Sequence, residues 1–396
     1  MLELQLEDAL EVLIDHRGKT PKKLNATFEL SGIPVISAAN VGGGRLSLDQ
    51  VRFVSPQVYE RWMPVRLQMG DVILTSEGPL GEVARVSETC DLVLGQRLFA
   101  LRGKSGVLSS RFLYYLLHWL PVRHQLVARS TGTTVHGIRQ SELLKIRIPI
   151  PPMETQLAIS DRLGALDDKI DVNRSANRTL ARLLQAILAQ AWEQNPAEFE
   201  TRSLGDIADI VDCLHSAKPP QIPAGERGLL QLNNIGPDGT LVLNDVYLIS
   251  STDYEVWTSR IELKAGDCVI TNVGRVGAVA QIPEGFRAAA GRNMTAIRPK
   301  AGVVSATYLL EALLSPRVRD EINLNTDTGT ILDSLNVRNI GKLRIRVPIP
   351  PLAATLEANL RPLRALMELN LREELTLARL RDALLPQLIS GRMTVN

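Results

Sequence analysis

The chain has 396 residues, of which 45% are hydrophobic and 22% charged, with a formal net charge of +2. That length allows two or three separate cores, and the composition excludes disordered and fibrous classes. An aromatic share of 4% gives no support to a stacking platform for single-stranded nucleic acid.

No apolar run approaches the eighteen or so residues that span a bilayer, and "MLELQLEDALEV" lacks the basic-then-apolar pattern of a secretory signal. A cytoplasmic protein with no membrane partner is the expectation. Cys90, Cys213 and Cys268 are odd in number and widely spaced, which fits buried free thiols better than a disulfide framework or a zinc site.

In chain order, residues 1–152 form the first predicted domain. Short Val/Ile/Leu runs broken by Gly, Pro and Asn, as in "DVILTSEGPLGEVARV" (71–86), mark short strands joined by tight turns. A helical stretch, "SSRFLYYLLHWLPVRHQLV" (109–127), lies among them. The domain closes on "IRIPIPP" (146–152). Proline lacks an amide donor and disfavours helix in the residue before it, so this hinge ends a strand-like segment and holds the chain extended.

Beyond the hinge, residues 153–194 contain no proline and a single glycine, Gly164. Leu163, Leu166, Ile170, Asn173, Asn177, Leu180, Leu184, Ile187 and Ala191 alternate by three and four residues, the spacing of a coiled-coil seam. A second domain follows at 195–351, and a second helical segment at 352–396. The frame recurs there as Leu360, Leu363, Met367, Asn370, Glu374, Leu377, Arg381, Leu384 and Leu388. Two such seams with a whole domain between them predict an antiparallel pair. Asn173, Asn177, Asn370 and Glu374 either fix the register or leave the seam wet at its middle. About forty helical residues would span roughly 60 Å, about one and a half to two turns of B-DNA.

The second half repeats the first. Gly70, Asp71, Thr75, Gly78, Gly81, Val83, Ala84, Ala100 and Arg102 recur 196 residues later as Gly266, Asp267, Thr271, Gly274, Gly277, Val279, Ala280, Ala296 and Arg298. "IRIPIPP" is answered by "IRVPIPP" (345–351), and "TLARLLQAIL" (179–188) by "TLARLRDALL" (376–385). The predicted class is therefore α+β: two similar globular domains with twisted, mostly antiparallel sheets, and two long helices packed as an antiparallel coiled coil.

"GTTVHGIRQSELLKIRIPIPPMETQ" (132–156), with its echo "GTILDSLNVRNIGKLRIRVPIPPLAAT" (330–355), resembles the specificity subunits of type I restriction–modification systems. The resemblance runs over the whole chain. Met153, Glu154 and Gln156 fit the family's junction motif, whereas Ala353 and Thr355 depart from it in the second copy. It implies a non-catalytic subunit whose two target-recognition domains each read one half of a bipartite double-stranded DNA site. It implies a helical pair that sets the unread gap and docks two methyltransferase subunits, through which endonuclease/translocase subunits join. S-adenosylmethionine, ATP and Mg belong, on this resemblance, to those partners and not to this chain.

The residues carry no competing chemistry. There is no phosphate loop, and His16, His118, His124, His136 and His215 show no metal-binding spacing. "GRVGAVA" (274–280) lacks the dinucleotide spacing and reads as a turn between paired strands.

Sequence readout needs Arg for guanine and Asn or Gln for adenine, and phosphate contact needs basic or hydroxyl groups on loops. The candidates in the first domain are Arg17, Lys19, Asn40, Arg45, Gln96, Arg97, Thr131 and Thr133. In the second they are His215, Lys218, Asn234, Asn272, Arg275, Arg292, Asn293, Thr328 and Thr330. Gln96-Arg97 and Arg292-Asn293 stand at equivalent places but differ in type, as two domains reading different half-sites would. For the Gly-Thr loops a structural turn competes with phosphate contact. Residues 1–152 hold 18 Lys and Arg against 14 Asp and Glu, and residues 195–351 hold 16 against 18. Charge therefore permits nucleic acid without requiring it, and a two-domain adaptor that binds proteins is the alternative.

Overall fold

The computed structural model describes residues 2–48, 50–87, 91–132, 136–213, 217–225, 227–236, 238–243, 245–327 and 333–394. It forms two compact units, Met1–Asp168 with Leu377–Asn396, and Lys169–Thr376.

In the first unit, β1 (Leu10–Asp15), β2 (Val72–Thr75), β3 (Val83–Arg85) and β4 (Leu98–Gly103) make an antiparallel sheet in the order β1-β4-β2-β3. β2 is buried on both faces, so it reads as a continuous apolar run instead of an alternating one. The alternation shows in where the side chains go. Val72, Leu74, Phe99 and Leu101 join a core with Phe112 and Leu116, while Ile73, Leu98 and Ala100 join another with Ile36 and Trp62. A smaller mixed sheet sets Ile33–Ile36 antiparallel to Arg52–Val54 and parallel to Val93–Leu94.

The helix expected over 109–127 is two helices, Ser110–His118 and Leu120–Ala128. The break falls at Trp119, which is extended (φ −70°, ψ 130°), so that Pro121 lies in the first turn of the second helix, where its missing amide costs nothing.

The second unit repeats this plan. β5 (Ala208–Asp212), β6 (Cys268–Thr271), β7 (Val279–Gln281) and β8 (Met294–Pro299) are ordered β5-β8-β6-β7, all antiparallel. "GRVGAVA" is the turn between paired β6 and β7 that the sequence suggested. The recurring Asp and Arg also find their reason. Arg102 Nε and Nη2 donate to the Asp71 carboxylate at 2.7 and 2.8 Å, and Arg298 repeats this on Asp267 at 2.8 and 2.6 Å. Each forked pair ties β4 or β8 to the turn before β2 or β6. Cys268 is buried and Cys213 half-buried, both free, and burial pushes both thiols up to about 12. Cys90 lies outside the described residues.

The proline hinge is a strand. Arg147–Ile150 pairs antiparallel with Leu2–Gln5, and Arg344–Pro348 with Phe199–Ser203. Each domain thus enters and leaves through one two-stranded ribbon, which tolerates Pro149 because neither strand has a second neighbour. The central helix begins just past the first hinge (Met153–Gln194), whereas the C-terminal helix already includes the hinge prolines in its first turn (Pro350–Ile389).

The predicted seam is the packed one. Leu163, Ile170, Asn173, Asn177, Leu184, Ala191, Leu360, Met367 and Leu388 are buried. Leu166, Leu180, Ile187, Leu363, Asn370, Glu374, Leu377, Arg381 and Leu384 are half-buried. In the second unit the polar seam residues have partners and are not merely wet. Asn173 Nδ2 donates to Glu373 Oε2 at 2.7 Å, Asn177 Nδ2 to Met367 O at 3.1 Å, and Asn370 Nδ2 to Asn177 Oδ1 at 2.7 Å. Contacts rise along one helix as they fall along the other, which is the antiparallel arrangement.

In each unit a polar tie joins the domain to both helices, half-buried in the first and buried in the second. In the first, Asp167 of the central helix accepts from the Tyr115 hydroxyl (2.7 Å) and from Arg381 Nη1 of the C-terminal helix (2.8 Å). Burial and the adjacent Asp167 carboxylate hold the Tyr115 hydroxyl well above its usual range. In the second, Glu311 of helix Ala306–Leu314 accepts from Arg364 Nε (2.6 Å) and from Gln185 Nε2 (2.7 Å). Glu311 is fully buried and the Arg364 side chain 6% exposed. Removing one partner of such a pair strands the other. Glu311→Ala is expected to destabilise the second unit by about 3–5 kcal/mol. Tyr115→Phe, which removes one hydrogen bond to a carboxylate, should cost about 1.5–3 kcal/mol. Urea unfolding of the two variants checks both values and their order.

Candidate nucleic-acid interface

The register places Asp15, Thr75 and Leu98 at one end of the first sheet, since Phe99 opposes Asp15 and Leu98 opposes Thr75. The loops that leave this end carry Arg17, Lys19, Gln96 and Arg97. Gly95 must be glycine, because a Cβ there would collide with the Ile36 carbonyl. The turn beyond it exposes Gln96 and Arg97, with Arg97 in the left-handed region (φ 65°). Arg97 O accepts from Ser76 N, and Arg97 Nε lies 3.2 Å from Glu77 Oε1. Glu77 bridges to Gly137, which is paired in both directions with Thr131.

Arg17 belongs to the same cluster but is engaged. It forks onto Asp15 at 2.9 and 2.6 Å, donates to Ile138 O at 3.0 Å and lies 4.5 Å from the Phe99 ring centroid. Beside it, burial and the neighbouring Lys19 hold the His16 imidazole down at about 4, so it brings no charge near neutrality. Lys19 Nζ donates to Trp62 O. Half-buried Arg45 lies in the small hairpin of Val41–Gly42 with Arg45–Leu46.

The second unit builds the same corner with other side chains. A Cβ on Gly291 would collide with Leu230 O, and Asn293 is left-handed (φ 63°) like Arg97. Asn293 O accepts from Asn272 N, as Arg97 O does from Ser76 N. Asn272 O then accepts from Leu335 N of the hairpin Thr326–Asp327 with Ser334–Leu335, which carries the second Gly-Thr loop. Arg292 is exposed, with no hydrogen-bond or ion-pair partner among the described residues. Lys218 Nζ lies 3.6 Å from the Tyr247 ring centroid. Thr133, His215, Thr328 and Thr330 lie outside the described residues.

Three candidate amides and one guanidinium have internal tasks instead of the expected free ones. Asn40 is buried, its Oδ1 accepting from Ser37 and its Nδ2 donating to Ser47 O. Asn234 repeats this, accepting from Gln231 N and donating to Val242 O and Asp245 O. Asn272 points inward and exchanges hydrogen bonds with Thr295 Oγ1. Arg275 is exposed, but its Nη1 donates to Ile235 O at 2.9 Å. A side-chain amide with both ends committed cannot also take an adenine edge.

A profile described as the type I restriction modification DNA specificity domain matches residues 3–182. The MjaIX specificity subunit of Methanocaldococcus jannaschii is 24% identical over 357 residues, 82% of this chain and 78% of that one. Over most of its length the chain is similar to type I specificity subunits. The MjaVIII specificity subunit of the same organism is 27% identical over 163 residues, and that match spans 40% of this chain and 38% of the relative. The fold is that of the crystallised S subunit from M. genitalium, with a TM-score of 0.53 at 16% identity over 98% of this chain and 95% of that one.

The family's junction motif gains a physical role here. Gln156 is buried, donates to Val107 O and Pro151 O and accepts from Ser109 N, clamping the helix start to the domain. Where Thr355 replaces it, Glu357 takes over and accepts from Ser305 Oγ at 2.5 Å and Thr307 Oγ1 at 3.3 Å. Neither Glu77, as the partner of Arg97, nor Glu357 was singled out by residue type. Aligning Ser109 with Ser305 would have pointed to the second.

Asn234→Ala is expected to lower stability by about 1–3 kcal/mol, by stranding Gln231 N, Val242 O and Asp245 O, while leaving DNA sequence preference unchanged. Unfolding curves beside binding competition between duplexes check this. An unaltered unfolding midpoint with an altered preference would return Asn234 to the readers.

Proposed function

We propose that each unit reads one half of a bipartite DNA target through the loops at one end of its four-stranded sheet. The observation that carries this is the duplicated turn at 95–97 and 291–293. Both units hold its third residue, Arg97 or Asn293, in the left-handed region, while its exposed side chains are Gln and Arg in one and Arg and Asn in the other. A non-glycine residue held at positive φ is uncommon and often marks a functional site. A constant scaffold with exchanged hydrogen-bonding side chains is what two different half-sites require.

The long helices then set the unread gap and dock two methyltransferase subunits, through which a restriction subunit joins. Exposed apolar residues support the docking. Val172 and Leu369 are each 60% exposed, and Leu183 and Leu380 45% and 46%. Each pair stands 197 residues apart, so both helices present the same apolar positions, as two copies of one partner would need.

Arg292→Ala should lower affinity for the cognate duplex by about 1–3 kcal/mol and relax preference at one half-site only. Arg97→Ala should do the same at the other half-site. Arg97 must first leave Glu77, and an exposed pair of this kind is worth about 0–1 kcal/mol. Fluorescence anisotropy with duplexes altered in one half-site, over a salt series, measures both. Equal losses at both half-sites, or binding indifferent to salt, would favour the protein-binding adaptor instead.

A further inference from the structure

Behind the second unit's tie lies a cavity of about 380 Å³, between the C-terminal helix and the turns at 239–243 and 281–286. That volume is within the range of about 300–1,000 Å³ typical of small-molecule sites. Its walls include Leu241, Leu243, Phe286, Leu310 and Leu371. Arg364, 5% exposed, also lines it. Two of its nitrogens are committed, Nε to Glu311 and Nη1 to Asp238 O at 2.9 Å, but Nη2 is buried with no hydrogen-bond partner among the described residues. A Cβ built on Gly239, another wall residue, would lie 3.3 Å from this Nη2. A buried donor left unpaired is costly, and a native structure rarely keeps one without a use.

The first unit shows what belongs there. Gly44 and Gly239 are equivalent, bridging in parallel to Ala84 and Ala280. Leu310 stands 196 residues after Tyr114. In the first unit the Tyr114 ring packs against Gly44 and its hydroxyl donates to Gly44 O at 3.3 Å. In the second unit a leucine replaces that ring.

We propose that this cavity binds an uncharged aromatic molecule carrying one oxygen acceptor. Its ring takes the place that Tyr114 fills in the first unit, and its oxygen accepts from Arg364 Nη2. The charges favour an uncharged ligand. Glu311 already meets the Arg364 guanidinium, and the charged residues of the lining balance, Arg364 and Arg372 against Glu284 and Glu368.

The test uses the full chain with 2-naphthol as probe and naphthalene as its oxygen-free control, followed by titration calorimetry and ligand-observed NMR. One 2-naphthol should bind per chain, about tenfold more tightly than naphthalene, the worth of about one hydrogen bond. Leu310→Tyr, which rebuilds the first unit's filling, should weaken 2-naphthol at least about tenfold, with folding verified by circular dichroism. Leu371→Trp blocks the cavity from the opposite wall and serves the same purpose if Leu310→Tyr does not fold. Absence of saturable binding, equal affinity for the two probes, or unchanged binding in the folded cavity-filling variant would each overturn the proposal.

Discussion

One carboxylate in each unit, half-buried in the first and fully buried in the second, holds three helices together, and the rest of that unit is built around it. Asp167 receives Tyr115 from the domain and Arg381 from the other long helix, while Glu311 receives Arg364 and Gln185. Tyr115 and Glu311 are equivalent positions 196 residues apart, and Asp167 and Arg364 are equivalent 197 apart. The duplication has kept the tie but moved its charges. In the first unit the acid is on the helix and a phenol on the domain; in the second the acid is on the domain and the cation on the helix. Burying such groups costs desolvation energy, so the ties add less to stability than their attraction suggests. Their stronger effect is on mispairing. A first domain set on the second unit's helix segment would leave Arg364 buried without its carboxylate.

This arrangement explains why the repeat is loud in some places and silent in others. Asp71 and Arg102 recur as Asp267 and Arg298 because each pair does the same work in its own sheet. The hinge recurs because each domain must close as a ribbon with its own first strand. Gln156 does not recur, because Glu357, two residues beyond Thr355, holds the equivalent serine.

Fold class, both hinges and the helical seam were legible in the sequence, since each rests on a periodicity or on proline chemistry that acts locally. The seam needed only spacing, and Leu163, Asn177 and Met367 lie where it put them. The loop residues were much less legible, because residue type does not tell which atoms already have partners. Asn40 and Asn234 looked like adenine readers, and they are turn-forming residues whose amides close on their own backbone. Arg97 and Arg292 have the same chemistry in sequence, yet among the described residues only Arg97 faces an acid, Glu77, which is twenty residues away and brought near by the sheet. The ties themselves escaped notice because their charges do not repeat.

The central claim is that two similar units read two different half-sites separated by a gap they do not read. Genome-wide mapping of adenine methylation, in cells with and without this gene, tests it most directly. The account predicts that one bipartite motif, two short unlike half-sites with a fixed unspecified gap, is methylated only when the gene is present. A continuous motif, or an identical methylation pattern in both strains, would contradict it.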